Sequence, residues 1–165
     1  MQTLKKKYPK PRRGRKSPKR LTIWEKRFSK KLKKHHGNFH KKVFHRMMKK
    51  SSTLRSTLKR RSKEYEVEFK ISLEEVRELL YRAYGRPCHY CDKKLVIDCM
   101  VCDHILPLSL GGNSTPENLQ MICRRCNTRK GPLTDRNFKK LLKFLDRQTK
   151  DLRNYVLRKL SSRDF

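Results

Sequence analysis

Acid is what the amino-terminal part of this chain lacks: residues 1–63 hold 26 lysines and arginines and a single carboxylate, Glu25. Such a block repels itself and is neutralised only by a polyanion. The other 102 residues carry 20 bases and 14 acids, an ordinary balance. No run of 18 or more apolar residues occurs, which excludes a membrane-spanning helix. No apolar segment follows the first residues, so secretion is not expected and an intracellular protein is. Hydrophobic residues are scarce, 35% with one Trp, too few to fill one large core in 165 residues. One or two small domains held by a staple are expected instead. No Trp- or Phe-rich amphipathic anchor accompanies the basic block, so nucleic acid is a better partner for it than an anionic membrane. Double-stranded DNA is the first choice and RNA the second; no membrane partner is expected, and the oligomeric state is not legible.

Six cysteines are present, as three Cys-x-x-Cys pairs: Cys88/Cys91, Cys99/Cys102 and Cys123/Cys126. Without a secretory leader, paired thiols at this spacing indicate metal binding in a reducing compartment rather than disulfides.

Along the chain, residues 1–20 mix Pro9, Pro11, Gly14 and Pro18 with ten bases, which breaks helices and reads as a disordered arm. Within it, Arg12, Arg13, Arg15 and Lys16 are candidate nucleic-acid contacts. Pro11–Arg15 loosely resembles the Arg-Gly-Arg core of an AT-hook, although Lys16 stands where that motif has proline; a plain polybasic tail is the simpler reading. Thr22 with Glu25 forms a capping box for a helix carrying Trp24, Phe28 and Leu32. Gly37-Asn38 ends it, and Asn38 is expected to cap a longer helix with Phe39, Val43, Met47, Leu54 and Leu58 on one stripe. His35, His36, His40 and His45 have no cysteine or acid beside them and are taken as helix-surface residues. At residue 64 the composition changes. Val67, Phe69 and Ile71 alternate with charged residues, as in a half-buried strand. Ser72 and Glu75 form a second capping box, for a helix with Val76, Leu79, Leu80 and Ala83 inward, ended by Gly85. Thr134 is an expected N-cap for one or two amphipathic helices, interrupted near residues 146–151. The expected division is a basic arm over 1–63, a central unit over 64–132 and a helical extension over 133–165.

Zinc takes four soft ligands in a tetrahedron, and Cys-x-x-Cys offers two thiolates from one turn. Cys88/Cys91 pair with Cys123/Cys126 across 31 residues; Cys99/Cys102 with Cys123/Cys126 is a competing set across 20. Val96–Cys102 reads as a strand, in which residues three apart point to opposite faces. Cys99 and Cys102 then cannot share an ion, so Cys88, Cys91, Cys123 and Cys126 are the favoured ligands, and Cys99 and Cys102 become small core residues.

Between the knuckles lie Asp103-His104, Gly111-Gly112 and Asn118, and Asn127 follows the last cysteine. Phosphodiester hydrolysis needs an activated water and positive charge at the phosphate. A histidine can deprotonate water near neutral pH, and Asp and Asn supply oxygen ligands to Mg²⁺ or Mn²⁺. Cys-x-x-Cys, Asp-His-Ile-x-Pro-Leu, Gly-Gly, Pro-Glu-Asn-Leu and Cys-x-x-Cys-Asn together resemble the HNH (ββα-metal) nuclease family. The resemblance implies an α+β fold, with a zinc-stapled ββα core flanked by helices. It implies His104 as general base, Asn118 bracing the loop that orients it, and Asp103 and Asn127 holding a catalytic Mg²⁺ or Mn²⁺. Arg129 and Lys130 become candidate phosphate contacts. Hydrolysis leaving 5′-phosphate and 3′-hydroxyl ends would follow, by a free-standing nuclease of phage or homing type or by one recruited to a larger complex. The alternative is a zinc module that binds nucleic acid, or serves a structural role, without cutting. Such a chain has no need to keep Asp103, His104 and Asn127 together.

Overall fold

The computed structural model describes residues 22–162, apart from the side chains of Trp24 and His35. Three helices come first: α1 (Ile23–His36), α2 (His40–Glu64) and α3 (Leu73–Ala83). A two-stranded antiparallel sheet follows, β1 (Met100–His104) against β2 (Leu119–Cys123), and β2 runs directly into α4 (Arg124–Lys130). Helices α5 (Asp135–Leu145) and α6 (Lys150–Ser162) complete the α+β fold, with α6 packed on α4. No helix among the described residues is long and apolar enough to cross a membrane.

Local chemistry sets most of the helix starts. Thr22 and Glu25 exchange side-chain and backbone hydrogen bonds at the head of α1, and Ser72 and Glu75 do so at α3. Each box satisfies two amides that have no partner within the helix, a contribution of about 1 kcal/mol. Thr134 caps α5 through the amide of Asn137. Asn38 does not cap α2 as expected. The chain passes through a 3₁₀ turn at Gly37–Phe39, and the residue before α2, Phe39, makes no side-chain cap. Gly37 takes a φ of 50°, which lets the chain reverse there.

One core joins the pieces. Phe28 and Leu32 of α1, Met47 and Leu58 of α2, and Val76 and Leu80 of α3 are buried in the same cluster as Met100, Ile122, Cys88, Cys123 and Cys126. Polar ties reinforce it: Arg77 of α3 pairs with Glu25 of α1 at 3.2 Å, and Arg55 of α2 donates to the Ile71 carbonyl at 3.1 Å. His36 is not a bare surface residue, since its Nε2 lies 2.6 Å from the Tyr84 hydroxyl. Residue 64, where the composition shifts, is the last residue of α2.

Two expected strands differ. Val67–Ile71 is extended but makes a single parallel bridge, Phe69 to Ser114, because only Ser114 runs alongside it. Val96–Cys102 is a strand only from Met100 onward. Residues before it form a turn in which the amides of Cys99 and Met100 both donate to the Val96 carbonyl. No Gly or Pro makes that turn. It is held from outside, by Arg46 paired with Asp98 and by Lys50 donating to the Ile97 carbonyl at 2.7 Å.

Between β1 and β2 the chain turns at Gly111-Gly112. Gly111 has a φ of 78°, in the left-handed region. Gly112 faces a different constraint: a Cβ there would stand 1.9 Å from the Leu106 carbonyl oxygen and 2.9 Å from that of Pro107. Neither backbone atom can move aside without opening the loop. Gly112→Ala is therefore expected to lower stability by about 3 kcal/mol, measured by thermal or urea unfolding, whereas Ala at exposed Ser109 leaves the midpoint unchanged.

Candidate nuclease site and metal centre

The four sulfurs of Cys88, Cys91, Cys123 and Cys126 all lie within 4.8 Å of one another. Four thiolates around a zinc ion sit about 3.8 Å apart, since Zn–S is about 2.3 Å in a tetrahedron. The cluster fits that ion. Cys123 ends β2 and is also the N-cap of α4: its sulfur accepts the Cys126 amide at 3.4 Å, while its own amide donates to the Cys88 sulfur at 3.3 Å. A hydrogen bond from the Cys126 thiol draws Cys88 down to about 4, while that same contact and then burial push Cys126 up. Burial likewise raises Cys123. Sulfurs so close therefore ionise together only around a cation.

The competing set does not form. The Cys99 sulfur accepts the Val96 amide at 3.4 Å and faces the Lys94 and Val96 carbonyls, within the turn described above. Burial pushes the Cys102 thiol up to about 12. The ligand choice drawn from the sequence agrees with this geometry, although the turn at Cys99 removes the all-strand argument behind it.

Asp103 and His104 are the last residues of β1, and neighbours in a strand point to opposite faces. Asp103 pairs with Gln120 across the sheet, and its Oδ2 accepts the Gln120 amide at 3.0 Å. Lys130, near the end of α4, inserts its ammonium beside Asp103, 3.2 Å from Oδ1 and 3.1 Å from Oδ2, and donates to the His104 carbonyl at 2.8 Å. Lys130 is 1% exposed. It is therefore a buried counter-ion to Asp103 that also lines the cavity described below. Burial pushes the Asp103 carboxyl above its ordinary value, against the pull of Lys130 and Gln120. Gln120 also donates to the Tyr90 hydroxyl at 2.7 Å, and Tyr90 donates to Asp135 of α5 at 2.7 Å. Tyr90 stands between Cys88 and Cys91, so one hydrogen-bonded line runs from the first knuckle to Asp103.

On the opposite side, His104 is 5% exposed and its Nε2 lies 2.9 Å from the Ser114 hydroxyl. Among the described residues nothing bonds its Nδ1. Burial first, then the charges of Arg61 and Lys130, lower its pKa to about 4, so the ring is neutral at pH 7. Asn118 does not touch His104. Its carboxamide accepts the Leu106 amide at 2.8 Å and donates to the Leu106 and Asn113 carbonyls at 3.0 and 2.8 Å, clamping the chain that leaves His104.

A cavity of about 710 Å³ brings together Asp103, His104, Asn127, Arg129 and Lys130, with Arg61 of α2 and Tyr65 just past its end on the wall. Asn118 lies elsewhere. No hydrogen bond among the described residues engages the Asn127 carboxamide, and Asp103 Oδ1 accepts from Lys130. Their oxygens are donors of the kind Mg²⁺ and Mn²⁺ take. Arg129 is half-buried, its Nε donating to Ser161 of α6 at 3.1 Å. Arg12, Arg13, Arg15 and Lys16 lie outside the described residues. Sequence reasoning missed Arg61, Ser62, Tyr90, Ser114 and Gln120. Only Gln120 carried a signal, since pairing β1 with β2 sets it opposite Asp103.

Cys123→Ser is expected to release the bound metal and melt residues 88–130, and Cys99→Ser to do neither, as read by elemental analysis and circular dichroism. Lys130→Met strands a buried carboxylate and is expected to cost about 3–5 kcal/mol, measured by denaturant unfolding.

No curated protein matches the chain. Residues 88–143, about a third of the sequence, match the family model described as HNH endonuclease. That stretch contains both cysteine knuckles, the Asp103-His104 strand end, Asn118, Asn127 and Lys130. The segment that builds the metal centre and most of the cavity is thus the one that is similar to HNH endonucleases.

Proposed function

We propose that this protein is a metal-dependent endonuclease that hydrolyses phosphodiester bonds of double-stranded DNA. The observation that carries the reading is the shared cavity: a neutral histidine, a carboxylate and a free carboxamide meet there among Arg61, Arg129 and Lys130. In this reading the four cysteines hold a structural zinc, and Asp103 and Asn127 hold Mg²⁺ or Mn²⁺, which supplies a hard positive charge against the phosphate oxygens.

The chain's own residues do the rest. Because Nε2 of His104 is occupied by Ser114, Nδ1 is the nitrogen left to take a proton from the attacking water. A neutral ring is the form that accepts it. As water oxygen bonds to phosphorus the bond to the 3′-oxygen breaks, and that oxygen takes a proton from solvent, giving 5′-phosphate and 3′-hydroxyl ends. Lys130 fixes the end of β1 through Asp103 and the His104 carbonyl, and Asn118 fixes the chain after it. Residues 1–63 supply the basic nucleic-acid-binding part, 64–132 the nuclease core and 133–165 the helical extension. A free-standing nuclease of phage or homing type suits this plan.

Purified protein is expected to nick or cut supercoiled plasmid with Mg²⁺ and to stop with EDTA. His104→Ala should abolish cleavage while DNA affinity and zinc content hold. Asn127→Ala should raise the Mg²⁺ or Mn²⁺ concentration needed. Full activity of His104→Ala in a preparation free of host nuclease would sink the mechanism. The arm has its own test. Removing residues 1–21 deletes ten bases and none of the candidate site residues from 88 onward. Counterion release contributes about 0.9 to the salt slope for each phosphate contact. The truncated chain should bind duplex DNA more weakly at low salt and show a flatter log K against log[salt] by fluorescence anisotropy, with cleavage retained at saturating DNA.

A further inference from the structure

Helix α2 lies wholly outside the residues that match the family, yet its last turns reach the reacting end of the cavity. Ser62 is buried, and its hydroxyl donates to the Ser114 hydroxyl at 2.7 Å; that hydroxyl in turn meets His104 Nε2 at 2.9 Å. Ser114 is itself gripped on both sides, its amide donating to the Glu68 carbonyl at 2.8 Å and its carbonyl accepting the Lys70 amide at 3.1 Å. A hydroxyl oxygen has two lone pairs, so Ser114 accepts both from Ser62 and from the Nε2–H of His104. The imidazole is then fixed with its proton on Nε2 and its Nδ1 lone pair open to the attacking water, and its plane is set from α2.

The residue before Ser62 points elsewhere. Arg61 is exposed and lines the cavity with Tyr65, just past the end of the helix. No carboxylate among the described residues pairs with it, and its charge is felt by His104. Lys130, the other cation at that ring, is consumed by Asp103. Among the described residues Arg61 is thus a cation beside His104 that no carboxylate engages, and a guanidinium offers the planar donor fork that phosphate oxygens take.

We propose that α2 completes the nuclease site: Ser62 acts through Ser114 as a positioning residue for His104, and Arg61 binds the scissile phosphate. The inference rests on His104 being the general base, as proposed above.

Three full-length variants test it, Ser62→Ala, Arg61→Gln and Arg61→Lys, each assayed for kcat and KM on plasmid. Duplex affinity is measured in EDTA, and the His104 ring nitrogens by ¹⁵N NMR. Ser62→Ala is expected to lower kcat roughly 10- to 100-fold with KM unchanged, because a misdirected base loses alignment rather than binding. Its ring-nitrogen signals should shift. Arg61→Gln should lower kcat by about 10²-fold, as removal of one donor to developing charge does, with duplex affinity held and partial return in Arg61→Lys. Unmoved ring signals with wild-type kcat in Ser62→Ala, or an Arg61→Gln change confined to KM, overturns the inference. Arg61 is exposed, so its substitution carries the test even if Ser62→Ala does not fold. Should His104→Ala retain activity, the proposed function itself fails; should it be inactive while Arg61→Gln and Ser62→Ala match wild type, this inference alone fails.

Discussion

Four sulfurs that must share one small volume govern how the rest of this protein is arranged. Cys123 is at once the end of β2, the N-cap of α4 and a member of that cluster. Fixing it fixes the angle at which the helix leaves the sheet. Asn127 and Lys130 ride on α4, and Asp103 and His104 on the strand paired with β2. The cluster thus sets the distance between the groups that line the cavity, without any of its sulfurs facing the reacting atoms. A chain with so few apolar side chains has little else with which to hold a strand, a strand and a short helix in register.

The two sides of β1 answer to different parts of the chain. Asp103 belongs to a line of hydrogen-bonded polar groups that runs through Gln120 and Tyr90 to Asp135, with Lys130 supplying the countercharge. A carboxylate so buried persists as an ion only where its charge is compensated and its oxygens are bonded. His104 answers to Ser114 and, beyond it, to α2. Asp103 is thereby tied to the knuckle and α5, and His104 to the amino-terminal helices. Tyr90 also stacks edge-on against Phe138, ring centroids 4.9 Å apart, so α5 is docked by the same residue that feeds the polar line.

What was legible in the sequence was what is decided locally. Thr22 with Glu25, Ser72 with Glu75, and Thr134 write their helix starts in three or four residues, and the structure uses all three. The outer Cys-x-x-Cys pairs were legible from spacing. The turn at Val96–Cys99 was not, because an apolar, β-branched run without Gly or Pro looks like a strand, and the contacts that bend it come from Arg46 and Lys50. The pairing of Lys130 with Asp103 was not legible for a similar reason: it depends on how α4 packs against β1, which no local stretch of sequence contains. Ser62 and Arg61 carry no motif at all. Their role depends on where a long helix ends in space, which no window of sequence contains.

The continuous core has a consequence for how the chain comes into being. Synthesis proceeds from the amino end, so α1 and α2 leave the ribosome before β1, β2 and the second knuckle exist. Their buried face, Phe28, Leu32, Met47 and Leu58, closes against Met100, Ile122 and Cys126. During that interval a strongly cationic helical pair with an uncovered apolar stripe sits beside ribosomal RNA, an abundant polyanion. Until β2 and α4 emerge to cover that stripe, the charge of the two helices draws them toward that polyanion.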